Sequence, residues 1–518
     1  MHPVHLSALD AAFLHIETPE MPMHVGGMYL LALPEDYAGE FYDRFKALIA
    51  SRLHLAPVFT RKLALMPFEL ANPMWIEDDD VDLDYHIRRI VLPRPGSIEQ
   101  LERYVGRLHS SLLDRSRPLW EFYVIEGLGG EGSRQRAFYS KVHHAALDGQ
   151  AAVKLAATVL DVTAVPRKVT PPPTRAARLP YQPGIGELLL EGATHAASQI
   201  GRLAALVPGV ARTAAGAAAH ALASRVRHSV QQRGLPALPS WPKEWAFGPR
   251  TPFNVAITNQ RSFASTSLPL AQVKAIGKEL NATINDVVLA LCSAALRRYL
   301  QDHGGVPGKS LIAAVPISTR GADDDSQTNQ VLMLPVSLAS NLADPVARLR
   351  AIQASAARLK SLIGGGVKSK MTFDLPSLGV PWLMAGLVSL LGKSRIANSM
   401  PPIANVIISN VPGPQMPLFL AGARVLTMTP VSIPAHGIAI NITVQSYDGH
   451  LDFGITACRR AVPDVKRIAA YLGLALAELA AAGGSAPVIS PRRVAVSKAK
   501  AASRTRNRRA ATRVATAA

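Results

Sequence analysis

A proline-dense break, Pro166-Arg167-Lys168-Val169-Thr170-Pro171-Pro172-Pro173, constrains the fold of this chain more than any other stretch. Proline fixes φ and offers no backbone donor, so neither a regular helix nor an interior strand runs through such a segment. At 518 residues the chain also exceeds one ordinary core, and two folded parts separated by the break follow.

Each side reads as mixed α/β. Before the break, residues 28–33, 120–125 and 136–142 read as strands, 98–113 as a helix capped by Ser97, and 150–160 as another helix. After it, residues 184–232 are rich in alanine and leucine, with arginines at intervals. This pattern suits amphipathic helices that cross between domains or lie on lipid. From about 251 the alternation resumes, with helices expected at 272–280 and 283–299. Strands are expected at 311–316, 331–338, 405–409, 438–447 and 451–456, with an acidic loop at Asp323-Asp324-Asp325. The expected division is an N-terminal domain at 1–165, a linker and helical crossover at 166–250, a C-terminal domain at 251–485 and a tail at 486–518.

Charge enters here because the balance is +19. Nine of the basic residues, from Arg492 to Arg513, lie after Pro491 with no acid among them and no aromatic for base stacking. The tail reads as a disordered basic arm, so no specific nucleic-acid partner is expected. Cys292 and Cys458 have no metal-ligand spacing, and a reduced cytoplasmic setting is the simplest reading. No signal peptide is expected from the opening residues. The apolar run at 375–391 is interrupted by Pro376, Gly379 and Pro381, and reads as a buried or interfacial helix.

The chemistry concentrates in His143-His144-Ala145-Ala146-Leu147-Asp148-Gly149. A strand delivers the two histidines, and adjacent strand residues point to opposite sides, so one faces a substrate and the other packs or hydrogen-bonds. A neutral imidazole suits proton removal from a hydroxyl. Asp148 either holds the loop or meets the imidazole, and Asp148-Gly149 forms the turn before the next helix. The competing readings are a zinc site and two structural histidines; no further histidine or cysteine at ligand spacing supports zinc.

This motif resembles that of the coenzyme A-dependent acyltransferase superfamily. Other stretches resemble the wax ester synthase/diacylglycerol acyltransferase family: the opening Leu6 to Glu17, Pro22-Met23-His24-Val25-Gly26-Gly27, Arg117-Pro118-Leu119-Trp120, Thr283-Ile284-Asn285-Asp286 and Ser409-Asn410-Val411-Pro412-Gly413-Pro414. One departure is Thr328-Asn329-Gln330, where the family commonly has a Gly-Asn pair.

The resemblance implies two chloramphenicol-acetyltransferase-like domains with an active-site channel between them. It implies transfer of a long-chain acyl group from acyl-CoA to diacylglycerol or a fatty alcohol, with His144 as base. Acyl-CoA is a substrate; no cofactor or metal is expected, since a thioester is already reactive. Asn285 is implied near the acceptor or the developing oxyanion, its alternative being a helix-terminal residue that binds backbone. Glu17 and Trp120 are implied at the acceptor pocket, with core packing favoured for Trp120. Asp452-Phe453-Gly454 reads as architectural. Peripheral association with the inner membrane or lipid droplets is expected from apolar substrates and basic charge. The alternatives are an acyltransferase for another alcohol and a catalytically silent lipid-surface protein.

Overall fold

The computed structural model describes residues 4–64, 72–147, 149–171, 186, 247–318, 331–364 and 402–484. Asp148, most of the 166–250 crossover, the acidic loop at 323–325, the apolar run at 375–391 and the tail at 486–518 lie outside the described residues.

Two six-stranded sheets organise an α/β architecture. The first has the order β12 (Phe419–Leu420), β13 (Ala423–Val431), β2 (His24–Ala32), β7 (Gln135–His143), β6 (Trp120–Glu126), β5 (Ile87–Val91), and only the β5–β6 pair is parallel. The second has the order β10 (Val331–Ser337), β9 (Ile312–Ser318), β11 (Val406–Val411), β14 (Ile440–Tyr447), β15 (His450–Cys458), β8 (Arg261–Pro269). A small sheet of β1 (Val4–His5), β4 (Met74–Glu77) and β3 (Arg61–Ala64) completes the set.

Every residue of β6 is buried, as its near-continuous apolar run requires of a strand covered on both faces. Helices α2 (Phe41–Arg52) and α5 (Gly149–Val159) cover one face, where Phe41, Phe45 and Leu155 share a core with Trp120, Phe122 and Phe138. Helix α4 (Ile98–Leu108) covers the other and presses Leu101 and Val105 into a core with Tyr123 and Tyr139. Ser97 and Gln100 form the reciprocal cap that starts it. The helix ends at Leu108 instead of 113. Ser110 Oγ donates to the Gly106 carbonyl and accepts the Arg261 N–H, which turns the chain toward β8.

On the second sheet, helices Ile284–Asp302, Pro345–Gly364 and Val465–Gly483 pack together. Thr283 and Asp286 cap the first of these reciprocally, so Asp286 is structural. Cys292 is buried there, and burial pushes its thiol up to about 12, which makes it an inert group.

The halves are stitched by strand exchange. β13 comes from the second half of the sequence, yet it pairs with β2 of the first sheet from Arg424↔Ala32 to Val431↔Gly26. Pro430 discourages a strand reading of 423–431. It is tolerated because β12 pairs only with Arg424 and Ala423, leaving the far side of Pro430 without a ladder to serve. Two residues of β15 then clamp β13: Asp452 Oδ2 accepts the Met428 N–H at 2.7 Å, and a Cβ on Gly454 would lie 1.7 Å from the Pro430 carbonyl oxygen. The Asp452–Gly454 stretch is therefore architectural.

Gly454→Ala separates the sheets and is expected to cost at least about 3 kcal/mol, or soluble protein altogether. Gly473→Ala sits on the exposed face of the helix Val465–Gly483 with nothing within 4 Å of its added Cβ and should stabilise by about 0.5–1 kcal/mol. Thermal denaturation of the two variants beside the parent checks both signs.

A second seam has a pH signature. Glu102 on α4 is buried, and its Oε1 accepts both the N–H and the hydroxyl of Ser265 on β8, each at 2.7 Å. Burial raises its carboxyl to about 7 despite these bonds and the nearby Lys466. Between 4.5 and about 7 the folded protein keeps a proton that the unfolded chain has lost, so stability falls as pH rises through that window. Glu102→Gln keeps an acceptor and cannot ionise. The parent should lose about 3 kcal/mol relative to this variant between pH 4.5 and 8, read as a Tm difference that opens with pH.

Candidate active site

The two histidines leave the end of β7 and diverge as strand alternation dictates. His143 is fully buried opposite His24 on β2, while His144 is half-buried and opens a 3-10 turn, His144–Ala146. The His144 N–H donates to the Met23 carbonyl at 2.8 Å, which extends the β2–β7 ladder to this point.

His143 is hydrogen-bonded at one ring nitrogen and faces a carboxylate with the other. Nδ1 accepts the Ala145 N–H at 3.1 Å, so the neutral ring carries its proton on Nε2. That nitrogen lies 3.3 Å from Glu17 Oε1, an ion-pair distance without good hydrogen-bond alignment. Glu17 follows helix α1 (Ala8–Ile16). Its Oε1 also accepts the Met23 N–H at 2.8 Å, and its Oε2 meets Arg115 Nη2 at 2.8 Å. Burial works to raise this carboxyl, but His143, the Met23 N–H and Arg115 together hold it at about 2.

His144 stacks its ring on Phe13 of α1, with centroids 4.0 Å apart and planes at 17°. Its Nδ1 is buried without a hydrogen-bond partner among the described residues. Burial lowers the imidazole to about 4, its own backbone carbonyl partly opposes this, and His143 adds a smaller push downward. The ring is therefore neutral at physiological pH. Gly149 starts α5 directly after the loop, and Asp148 lies outside the described residues.

Beneath the pair, His24 Nε2 donates to the His109 carbonyl at 2.7 Å. His109 donates from Nε2 to the Ser432 carbonyl at 3.0 Å, so its Nδ1 accepts from Tyr139 at 2.8 Å. These bonds tie β2, α4, β7 and the end of β13 to one another below the loop.

The structure thus brings Glu17, His143 and His144 together. Glu17 reaches the site as a buried support to His143. Trp120 is fully buried in the core of the first half, donating to the Phe59 carbonyl at 3.2 Å and stacking on His86. Asn285 occupies the first turn of the helix Ile284–Asp302, half-buried, and leaves the capping to Thr283. Sequence reasoning missed Phe13 and Arg115. A signal for Phe13 exists, since it lies in the last turn of α1, four residues before Glu17 at the helix C-cap.

Residues 6–288 match the model of the wax ester synthase/diacylglycerol acyltransferase catalytic domain, and 327–480 match that family's C-terminal domain. The chain belongs to the wax ester synthase/diacylglycerol acyltransferase family. Membership makes it an acyltransferase. A probable diacylglycerol O-acyltransferase of Mycobacterium tuberculosis is 36% identical over 482 residues, covering 92% of this chain and 98% of its own. A putative one of Mycobacterium bovis is 35% identical, covering 95% and 93%. Among solved structures, the wax ester synthase/diacylglycerol acyltransferase of Marinobacter aquaeolei VT8 matches with a TM-score of 0.63 at 30% identity, covering 93% of this chain and all of that one. The starter condensation domain of rhizomide synthetase matches at 0.50 and 12% identity, a likeness of fold alone.

Glu17→Gln in this acyltransferase removes the charge that faces His143 and Arg115. Arg115 is about a third exposed, so solvent screens part of the loss, and the expected cost is about 2 kcal/mol at pH 7. The parent's advantage is complete above 4.5 and disappears as pH falls through about 2. Denaturation midpoints at pH 7 and pH 3 should show the gap narrowing.

Proposed function

We propose that this protein transfers a long-chain fatty acyl group from acyl-CoA to the hydroxyl of diacylglycerol, and also to a fatty alcohol, with His144 as general base. The observation that carries the reading is the contrast within the histidine pair. His143 is committed to Ala145 and Glu17, whereas His144 is half-open, neutral and without a partner at Nδ1 among the described residues. The names of the relatives support diacylglycerol as acceptor, and that of the Marinobacter protein supports the alcohol as well.

In this scheme the neutral ring of His144 takes the hydroxyl proton as the alcohol oxygen attacks the thioester carbonyl. Collapse of the tetrahedral adduct breaks the carbon–sulfur bond, and the imidazolium returns its proton to the coenzyme A thiolate. A ring that binds a proton only below about 4 gives it up readily at this second stage. Asn285, whose amide is not used to cap its helix, serves as a donor to the developing oxyanion or orients the acceptor. Glu17 and His143 hold the turn that presents His144. Substrates that partition into lipid and a net charge of +19 support work at an anionic membrane or droplet surface.

The test supplies palmitoyl-CoA with dioleoylglycerol or hexadecanol to the purified protein and to His144→Ala. Triacylglycerol or wax ester is expected from the parent, with a fall of about 10³-fold in the folded variant. The parent's rate should hold from pH 8 to about 5 and decline on acidification through about 4. Equal rates in the variant would remove His144 as the base, and the absence of any acceptor-dependent ester would remove the reaction.

A further inference from the structure

The face of the His144 ring is occupied by a group that the proposed chemistry does not use. Phe13 lies parallel to the imidazole, with centroids 4.0 Å apart and planes at 17°. Both are half-buried, so the contact forms at the border of the site and not deep in a core. Phe13 belongs to two apolar groups at once. On one side it packs with Leu6, Ala11, Leu14 and Ala145 of the first half. On the other it joins a cluster where Met21 and Met23 meet Ile257, Ala439 and Cys458 of the second half. The ring therefore packs on an apolar cluster that spans both halves while it contacts the imidazole.

We propose that Phe13 is a positioning residue for acyl transfer: its flat ring fixes the rotamer of His144 and excludes water from one face of the imidazole. The inference rests on His144 being the base and adds the group that sets its orientation and its protonation. Aromatic stacking favours one ring orientation over the freely rotating side chain, and the apolar face disfavours the charged imidazolium. The lowering of the His144 imidazole to about 4, with burial as its main cause, accords with this role. Among the described residues, the other groups facing the ring do not account for it. The backbone carbonyl of His144 acts in the opposite direction, and His143 adds only a smaller downward push.

The experiment uses the full chain with Phe13→Leu, Phe13→Tyr and the parent. Leucine keeps apolar packing and removes the flat ring; tyrosine keeps the ring. The first readout is NMR titration of ¹³C-labelled histidine, with His144→Gln used to assign the resonance. It requires no substrate and so stands apart from the identity of the reaction. The His144 titration should rise toward 6.5 in Phe13→Leu and stay near the parent in Phe13→Tyr. The second is transfer from palmitoyl-CoA to dioleoylglycerol or hexadecanol. There kcat should fall at least tenfold in Phe13→Leu with little change in KM for the thioester, and its acid limb should move to higher pH. An unchanged His144 titration in folded Phe13→Leu would overturn the inference, as would a titration displaced equally in Phe13→Tyr. A displaced titration in a protein whose parent makes no ester would sink the proposed reaction and leave the stacking role standing.

Discussion

The contact between Gly454 and Pro430 is the constraint on which the rest of the molecule depends. A strand of the second half can enter the first sheet only if the two backbones approach within a distance that excludes any side chain at position 454. Asp452 then holds β13 through the Met428 N–H, and Tyr447 donates to the Val425 carbonyl from the neighbouring strand of the second sheet. The far end of the exchanged segment is fixed as well. Phe419 exchanges backbone hydrogen bonds with Asp161, whose carboxylate meets the fully buried Arg52 at 2.8 Å. A buried pair of this kind adds little net stability but fixes where the partners sit.

That exchange reaches the chemistry by a short route. β13 pairs with β2, β2 pairs with β7, and β7 ends in the two histidines. Beyond the ladder, Ser432 receives the His109 ring, and the His109 carbonyl receives His24, the residue opposite His143. The turn that presents His144 is thus supported from both halves. The same residues explain the division of labour within the pair. Alternation sends His143 inward to Glu17 and Ala145, and it sends His144 to the border where Phe13 covers one face.

Much of this was legible in the sequence because it rests on local rules. The cap at Ser97, the strands read at 120–125 and 136–142, and the opposite orientations of adjacent histidines all follow from neighbours within a few residues, whereas the cap of the helix Ile284–Asp302 is Thr283 and not Asn285. What escaped is non-local. Nothing in residues 423–431 states which sheet will accept them, and Pro430 argues against a strand until the short β12 shows why it is tolerated. Glu17 illustrates the same limit in the site, whereas the core reading favoured for Trp120 is where the structure puts it. Resemblance implies Glu17 at the acceptor pocket, and only tertiary contacts reveal a carboxylate held by Arg115 and the Met23 N–H beside His143. Phe13 was overlooked because an apolar residue on an amphipathic helix ordinarily means core, and its role comes from what it stacks on.

The proposed chemistry requires the reacting carbonyl of a thioester to meet His144 at the seam of the two halves. A crystal structure with a non-hydrolysable thioether analogue of palmitoyl-CoA would show whether it does. The analogue's reactive end should lie beside the His144 ring, on the face opposite Phe13, with His143 still facing Glu17. An analogue whose reactive end lies remote from His144, or which draws His143 away from Glu17 to meet it, would remove His144 as the base.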